Sequence, residues 1–99
     1  MNIYAMRLKT GEEVIFRTDT DLEKLTDSMN QNILIKVEKP VNMLPVENRV
    51  TFVPWVFFAK EDTFTLSTQD VLLFYVVQEQ IEAEYRRLTS GIITSPALA

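Results

Sequence analysis

The sequence contains no cysteine and no histidine, and only two glycines and four prolines among its 99 residues. Without thiols or imidazoles the chain has no disulfide framework, no thiolate nucleophile, no Ser-His-Asp triad and no zinc site built on Cys or His. Scarce Gly and Pro exclude collagen-like and low-complexity chains. No apolar run approaches the roughly 18–20 residues that cross a bilayer. The opening Met1-Asn2-Ile3-Tyr4 carries neither a basic nor an apolar leader, so a cytoplasmic chain with no membrane partner is expected. What is present is 46% hydrophobic, 24% charged and 10% aromatic, the composition of a globular domain. The length suits one core. A chain of this size without cross-links buries only about 60–65% of its unfolded surface, so association between subunits is the expected supplement.

The net charge of −4 opposes phosphate backbones as a whole-molecule field. The charge is unevenly spread: residues 18–32 carry −3 and residues 61–99 carry −4, while 1–17 and 33–60 are +1 and +2. A locally basic face is therefore open to the fold, with Lys36, Lys39 and Arg49 as its candidates.

Two short apolar runs, residues 3–8 and 13–17, flank Lys9-Thr10-Gly11-Glu12 and predict a hairpin whose glycine takes positive φ. In the second arm Val14 and Phe16 alternate with Glu13, Ile15 and Arg17. Residues 18–32 are acidic and polar, with Leu22, Leu25 and Met29 at helical spacing, and predict a loop with one or two helical turns. Asp19-x-Asp21-x-Glu23 opens like a calcium loop, but no Gly occupies the turn position and Asn30 stands where a bidentate Glu belongs, so no metal is expected. The run 32–39 alternates Ile33, Ile35 and Val37 with Leu34, Lys36 and Glu38 and is expected to stop at Pro40. Residues 41–48 then form the longest connection. A second extended stretch, 49–59, contains Pro54 and is expected at an edge or bulge, with Trp55 and Phe57 sharing one face opposite Val56 and Phe58.

After the charged turn 60–62 comes Thr63-Phe64-Thr65-Leu66-Ser67. Residues 70–77 support two readings. Ser67-x-x-Asp70 is a capping box that would start a helix running to Ser90. The unbroken apolar run with β-branched and aromatic residues suits a buried strand ending near Val76, which is the reading adopted. A helix over about 78–90 follows, with Val77, Ile81, Tyr85 and Leu88 in one stripe, acid early and Arg86-Arg87 late. The whole reads as one domain over 1–91 with a flexible tail at 92–99. Five or six short antiparallel strands with no crossover helix predict a mainly β fold: a small, strongly bent, five-stranded SH3-like or Sm-like barrel with a C-terminal helix. Its edge strands invite pairing between copies, as a ring or dimer.

Three pieces carry a family resemblance. Leu8-Lys9-Thr10-Gly11-Glu12-Glu13-Val14 is similar to the first hairpin of the Sm/LSm family of RNA-associated ring proteins. Asn32-Ile33-Leu34-Ile35 resembles its Asn followed by three apolar residues, and Leu66-Ser67-Thr68-Gln69-Asp70-Val71 stands in place of its second motif. The likeness follows element order over residues 3–77. It implies a non-enzymatic homo-oligomeric ring that binds single-stranded RNA or DNA, with a role in RNA or DNA processing. Three departures bear on how a base would be held. Asn30 stands where the family stacks a side chain on the base, Ser28 stands where it has Asp, and Ser67-Thr68 replaces its Arg-Gly.

The candidate nucleic-acid residues are thus Asn30, Asn32, Ser67 and Thr68, whose amides and hydroxyls can read base edges, although such groups more often cap local turns. Trp55, Phe57 and Phe58 are candidates for core and subunit interface, with a stacking platform as the other use of such aromatics. Asp62, Asp70, Glu79 and Glu82 show no spacing of an acid–base pair, so neither catalytic residues nor a cofactor are expected. The other functional class is a structural or adaptor protein whose barrel and helix dock a protein partner. A further form of that class is an SH3-like module reading a proline-rich peptide on Trp55.

Overall fold

The computed structural model of the protein describes residues 1–90; the tail expected at 92–99 lies outside the described residues. The first hairpin forms where the alternation puts it. β1 (Asn2–Leu8) pairs antiparallel with β2 (Glu13–Thr18), and Gly11 turns the chain at φ 101°. Ile15, on the face opposite Val14 and Phe16, is as fully buried as they are. β2 is the middle strand of the order β4-β3-β2-β1-β6 and is covered on both sides.

α1 (Leu22–Ser28) fills the predicted helical turns, and Asp21 caps it by accepting from the Lys24 amide at 3.0 Å. The carboxylate that suggested a calcium loop is thus a helix cap, and among the described residues no group of three such ligands converges.

β3 (Leu34–Val46) runs straight through Pro40, which overturns both the expected stop there and the long connection at 41–48. The register explains how. Arg17 opposes Glu38 and Ile15 opposes Val41, so β3 spends one residue more than β2 across this step. The extra residue makes a bulge at Lys39, φ 50°, and Pro40 sits where no ladder donor is demanded. A tight turn with Glu47 and Asn48 both at positive φ then returns the chain into β4 (Arg49–Pro54).

The strand expected over 49–59 ends at Pro54, and β5 (Thr63–Ser67) resumes after an irregular excursion at 55–62. Glu38 pairs with both Arg17 and Thr63, and Val41 with both Ile15 and Pro54. β4 and β5 therefore lie along the same edge of β3, one on each side of the bend, opposite β2. Since 55–62 is not a strand, the expected face-sharing of Trp55 and Phe57 fails: Trp55 packs on the core while Phe57 is exposed.

A 3-10 turn (Thr68–Asp70) leads into β6 (Val71–Tyr75), which pairs with β1. The strand reading of this run holds. Ser67 does cap, but its hydroxyl accepts from Gln69 N at 3.1 Å and closes only the 3-10 turn. α2 (Glu79–Thr89) follows as predicted.

The sheet is antiparallel and strongly bent but not closed. Its interior cluster contains Met6, Val14, Phe16, Val37 and Phe74, and α1 adds Leu25 from its place against β6 and β3. On the other side of β2 a smaller cluster of Ile3, Ala5, Ile15 and Val77 receives Tyr85 of α2. Tyr85 is fully buried, donates its hydroxyl to the Lys39 carbonyl at 2.5 Å, and has the Arg17 guanidinium 5.7 Å from its ring centroid. Burial pushes its phenol well above the ordinary tyrosine range, with Arg17 opposing that rise. Arg17 also donates to Thr89 Oγ1 at 2.7 Å, so one guanidinium clamps the last turn of the helix. No helix among the described residues is long and apolar enough to cross a membrane.

Candidate nucleic-acid interface

Leu34 of β3 opposes Ser67 of β5, so the segment leaving α1 and the 3-10 turn meet at one end of the sheet. Sequence reasoning placed Asn30, Asn32, Ser67 and Thr68 together, and these two segments bring them there. Their side chains divide into two kinds. Thr68 is 2% exposed, and its hydroxyl lies 3.2 Å from the Ser28 carbonyl and 3.3 Å from the Ile33 carbonyl. One hydroxyl proton shared between two carbonyls fastens the α1–β3 connection to the β5–β6 turn. Thr68 therefore holds the site's shape from inside, and Ser67 spends its acceptor on the 3-10 turn.

Asn30 and Asn32 are exposed. Asn32 has φ 55°, the left-handed region in which Asn is among the few well-tolerated side chains. The same end exposes Gln31 and Gln69, two further amides that no motif singled out. Amides carry both donors and acceptors and suit the edges of unstacked bases. Cations flank them. Lys9 N donates to the Asp70 carbonyl at 2.8 Å, which ties the first hairpin's tip to the 3-10 turn, and the Lys9 side chain is exposed. Lys36 is exposed two residues along β3 from Leu34.

The three cations expected to share a face do not. Lys36 opposes Thr65 near the start of β3, whereas Arg49 opposes Val46 at its far end. At about 3.3 Å per residue the strand path between them is roughly 30 Å. Lys39, at the bulge, is ion-paired with Asp62 at 2.9 Å, and its hydrogen bond holds the Asp62 carboxyl below the usual carboxylate range. The separation arises because alternation fixes which side of a strand a residue takes, while a bulge and a bend change where that side points.

The aromatic candidates also separate. Trp55 is half-buried against the interior cluster, Phe57 is 65% exposed and Phe58 is 98% exposed. A groove of about 910 Å³ lies on the α2 side, walled by Met43, Val50, Phe52, Val76 and Ile81. Tyr75 at its edge donates to Glu13, which also pairs with Arg7 at 3.1 Å. Burial first, and then Glu13, raise the Tyr75 phenol far above its ordinary value. Sequence patterning gave no sign of this groove, whose walls come from β3, β4 and the β6–α2 junction. Comparison with protein-family models and with curated proteins finds no match for this chain.

Proposed function

We propose that this chain is a non-enzymatic, Sm-like barrel subunit of a homo-oligomeric ring that binds single-stranded RNA or DNA through the amide-bearing end of the sheet. The observation that carries the reading is the convergence at Thr68. A buried hydroxyl fixes two loops so that Asn30, Asn32 and Gln69 face solvent between Lys9 and Lys36. The placement of β4 and β5 as two parts of one bent edge, followed by a 3-10 turn and a last strand returning to β1, supports the small-barrel reading. Assembly is supported by the strand edges. Among the described residues β5 pairs only with β3 and β6 only with β1, and Leu72 and Leu73 on β6 are exposed. Each of these strands is five residues long, so the two free edges match in length.

The test is fluorescence anisotropy of labelled single-stranded RNA and DNA with the purified chain, alongside its mass by light scattering. The expected result is a multimer whose affinity falls as salt rises. Asn32→Gly, which keeps the backbone conformation and removes the amide, should weaken binding by several-fold, about 1 kcal/mol, without changing the mass. Absence of binding at low salt to every sequence tried overturns the nucleic-acid reading in favour of a protein-docking role.

A further inference from the structure

α2 runs between two cavities. Its first turn helps to wall the groove described above, and its last turn, through Leu88 and Thr89, walls a second cavity of about 860 Å³. Val41 and Phe52 of the sheet, Val56 of the 55–62 loop and Phe64 of β5 contribute the other apolar walls. Val56 and Leu88 are 42% and 48% exposed, so this lining stands open to water. Four charged residues line it, Lys39 and Lys60 against Glu61 and Asp62, and Lys39 is already paired with Asp62. The two signs balance, so the cavity suits an occupant that is apolar and uncharged.

The chain itself leads to this opening. Thr89 Oγ1 accepts from Arg17 at 2.7 Å and donates to the Tyr85 carbonyl at 2.7 Å, which fixes the end of α2 against the sheet. Ser90 is the C-cap, and Gly91 follows it, the residue type that most readily lets a chain turn back on leaving a helix. Residues 91–99 carry no charged side chain, in a sequence that is 24% charged, and Ile92 and Ile93 stand directly after the glycine. These two follow Thr89 by three and four residues, at most roughly 10–14 Å of chain. Thr89 is itself part of the cavity wall, so both side chains are within reach of it.

We propose that the segment beginning at Gly91 folds back and seats Ile92 and Ile93 in this cavity of its own chain. The segment then straps the last turn of α2 to the 55–62 loop. It covers the exposed apolar surface of Leu88 and Val56 together. It also gives α2, which buries only Tyr85 completely, a second point of attachment at its far end. The inference stands apart from the ring and nucleic-acid readings, since every group it uses belongs to one chain.

The absence of cysteine gives a clean test. In the full-length chain, Thr94→Cys/Ala59→Cys pairs the position after the two isoleucines with an exposed residue of the cavity wall. Thr94→Cys/Ala83→Cys pairs it instead with the outer face of α2, Ala83 being exposed and two residues before the buried Tyr85. Each is treated at high dilution with a short thiol-specific cross-linker, and the products are read by intact mass. Bridging within one chain should be several-fold more complete for the Ala59 pair than for the Ala83 pair. Adding Ile92→Ser/Ile93→Ser should remove that preference. In the otherwise wild-type chain the same two serines should speed amide exchange over residues 79–89 several-fold while β1 and β2 keep their protection. Equal bridging of the two pairs, a preference that survives the serines, or unaltered exchange in α2 overturns the strap. Covalent dimers from the Ala59 pair would mean that a neighbouring copy's segment fills the cavity, which overturns docking within one chain.

Discussion

The two buried clusters on either side of β2 are built differently. The interior one draws on β1, β2, β3, β6 and α1, so its side chains come from elements already held together by backbone ladders. The one beneath α2 depends on a helix that contributes a single fully buried residue, Tyr85, aided by the half-buried Ile81. Stability in the first is shared among many contacts; in the second it is concentrated on one ring and the groups that grip it. A helix held in this way should open below the global unfolding free energy, whereas the sheet should not.

The largest effect should come from breaking the shared cluster. Phe16 is fully buried and meets Phe74 edge to face at 6.2 Å, so Phe16→Ala is expected to cost about 3–5 kcal/mol in urea unfolding. It should weaken protection from hydrogen exchange across the whole sheet. Tyr85→Ala should cost less globally, about 2–3 kcal/mol, because α2 can detach while the sheet survives. Its signature is loss of amide protection in residues 79–89 with β1 and β2 still protected. Equal loss in both regions would erase the distinction between the clusters.

Smaller again is the polar fastening at the amide-bearing end. Thr68→Val keeps the side chain's shape but leaves the Ser28 and Ile33 carbonyls without their donor, for an expected loss of about 1–2 kcal/mol. Last comes the exposed Lys39–Asp62 pair, where Asp62→Asn should change stability by less than about 1 kcal/mol. Its sign with pH is fixed. The Asp62 carboxyl is held below its ordinary value, so its contribution is present above the usual carboxylate range and fades as pH falls through the lowered value. The asparagine variant should lack that part of the acid-side slope.

Several elements were legible because local chemistry and tertiary setting agreed. The first hairpin is marked by Gly11 and two apolar arms, α1 by the spacing of Leu22, Leu25 and Met29, and α2 by its acid-to-base polarity. Residues 71–75 were legible as a strand from their unbroken run of apolar, β-branched and aromatic residues, and the Ser67 cap that argued for a helix closes only one 3-10 turn. Pro40 misled because its missing donor ends a regular ladder, yet a bulge removes the demand for that donor. The basic face misled for a related reason. Lys36 lies near the start of β3 and Arg49 opens β4 beyond its far end, and sequence spacing says nothing of the length and bend of the strand between them. Of the candidate site, the sequence suggested grouping Asn30 and Asn32 with Ser67 and Thr68, but not the division of labour among them. Burial of Thr68 and exposure of Gln69 depend on which way a 3-10 turn faces.

Taken alone, the order of residues determined the first hairpin, the two helices, the strand at 71–75 and the lack of thiol and imidazole groups, since these follow from composition and short-range periodicity. Only the tertiary structure decided that β2 is covered on both faces, that Thr68 is a fastener and that Phe58 is left outside. Those outcomes depend on contacts between segments distant in the chain, whose geometry a bulge at Lys39 and the docking of Tyr85 set together.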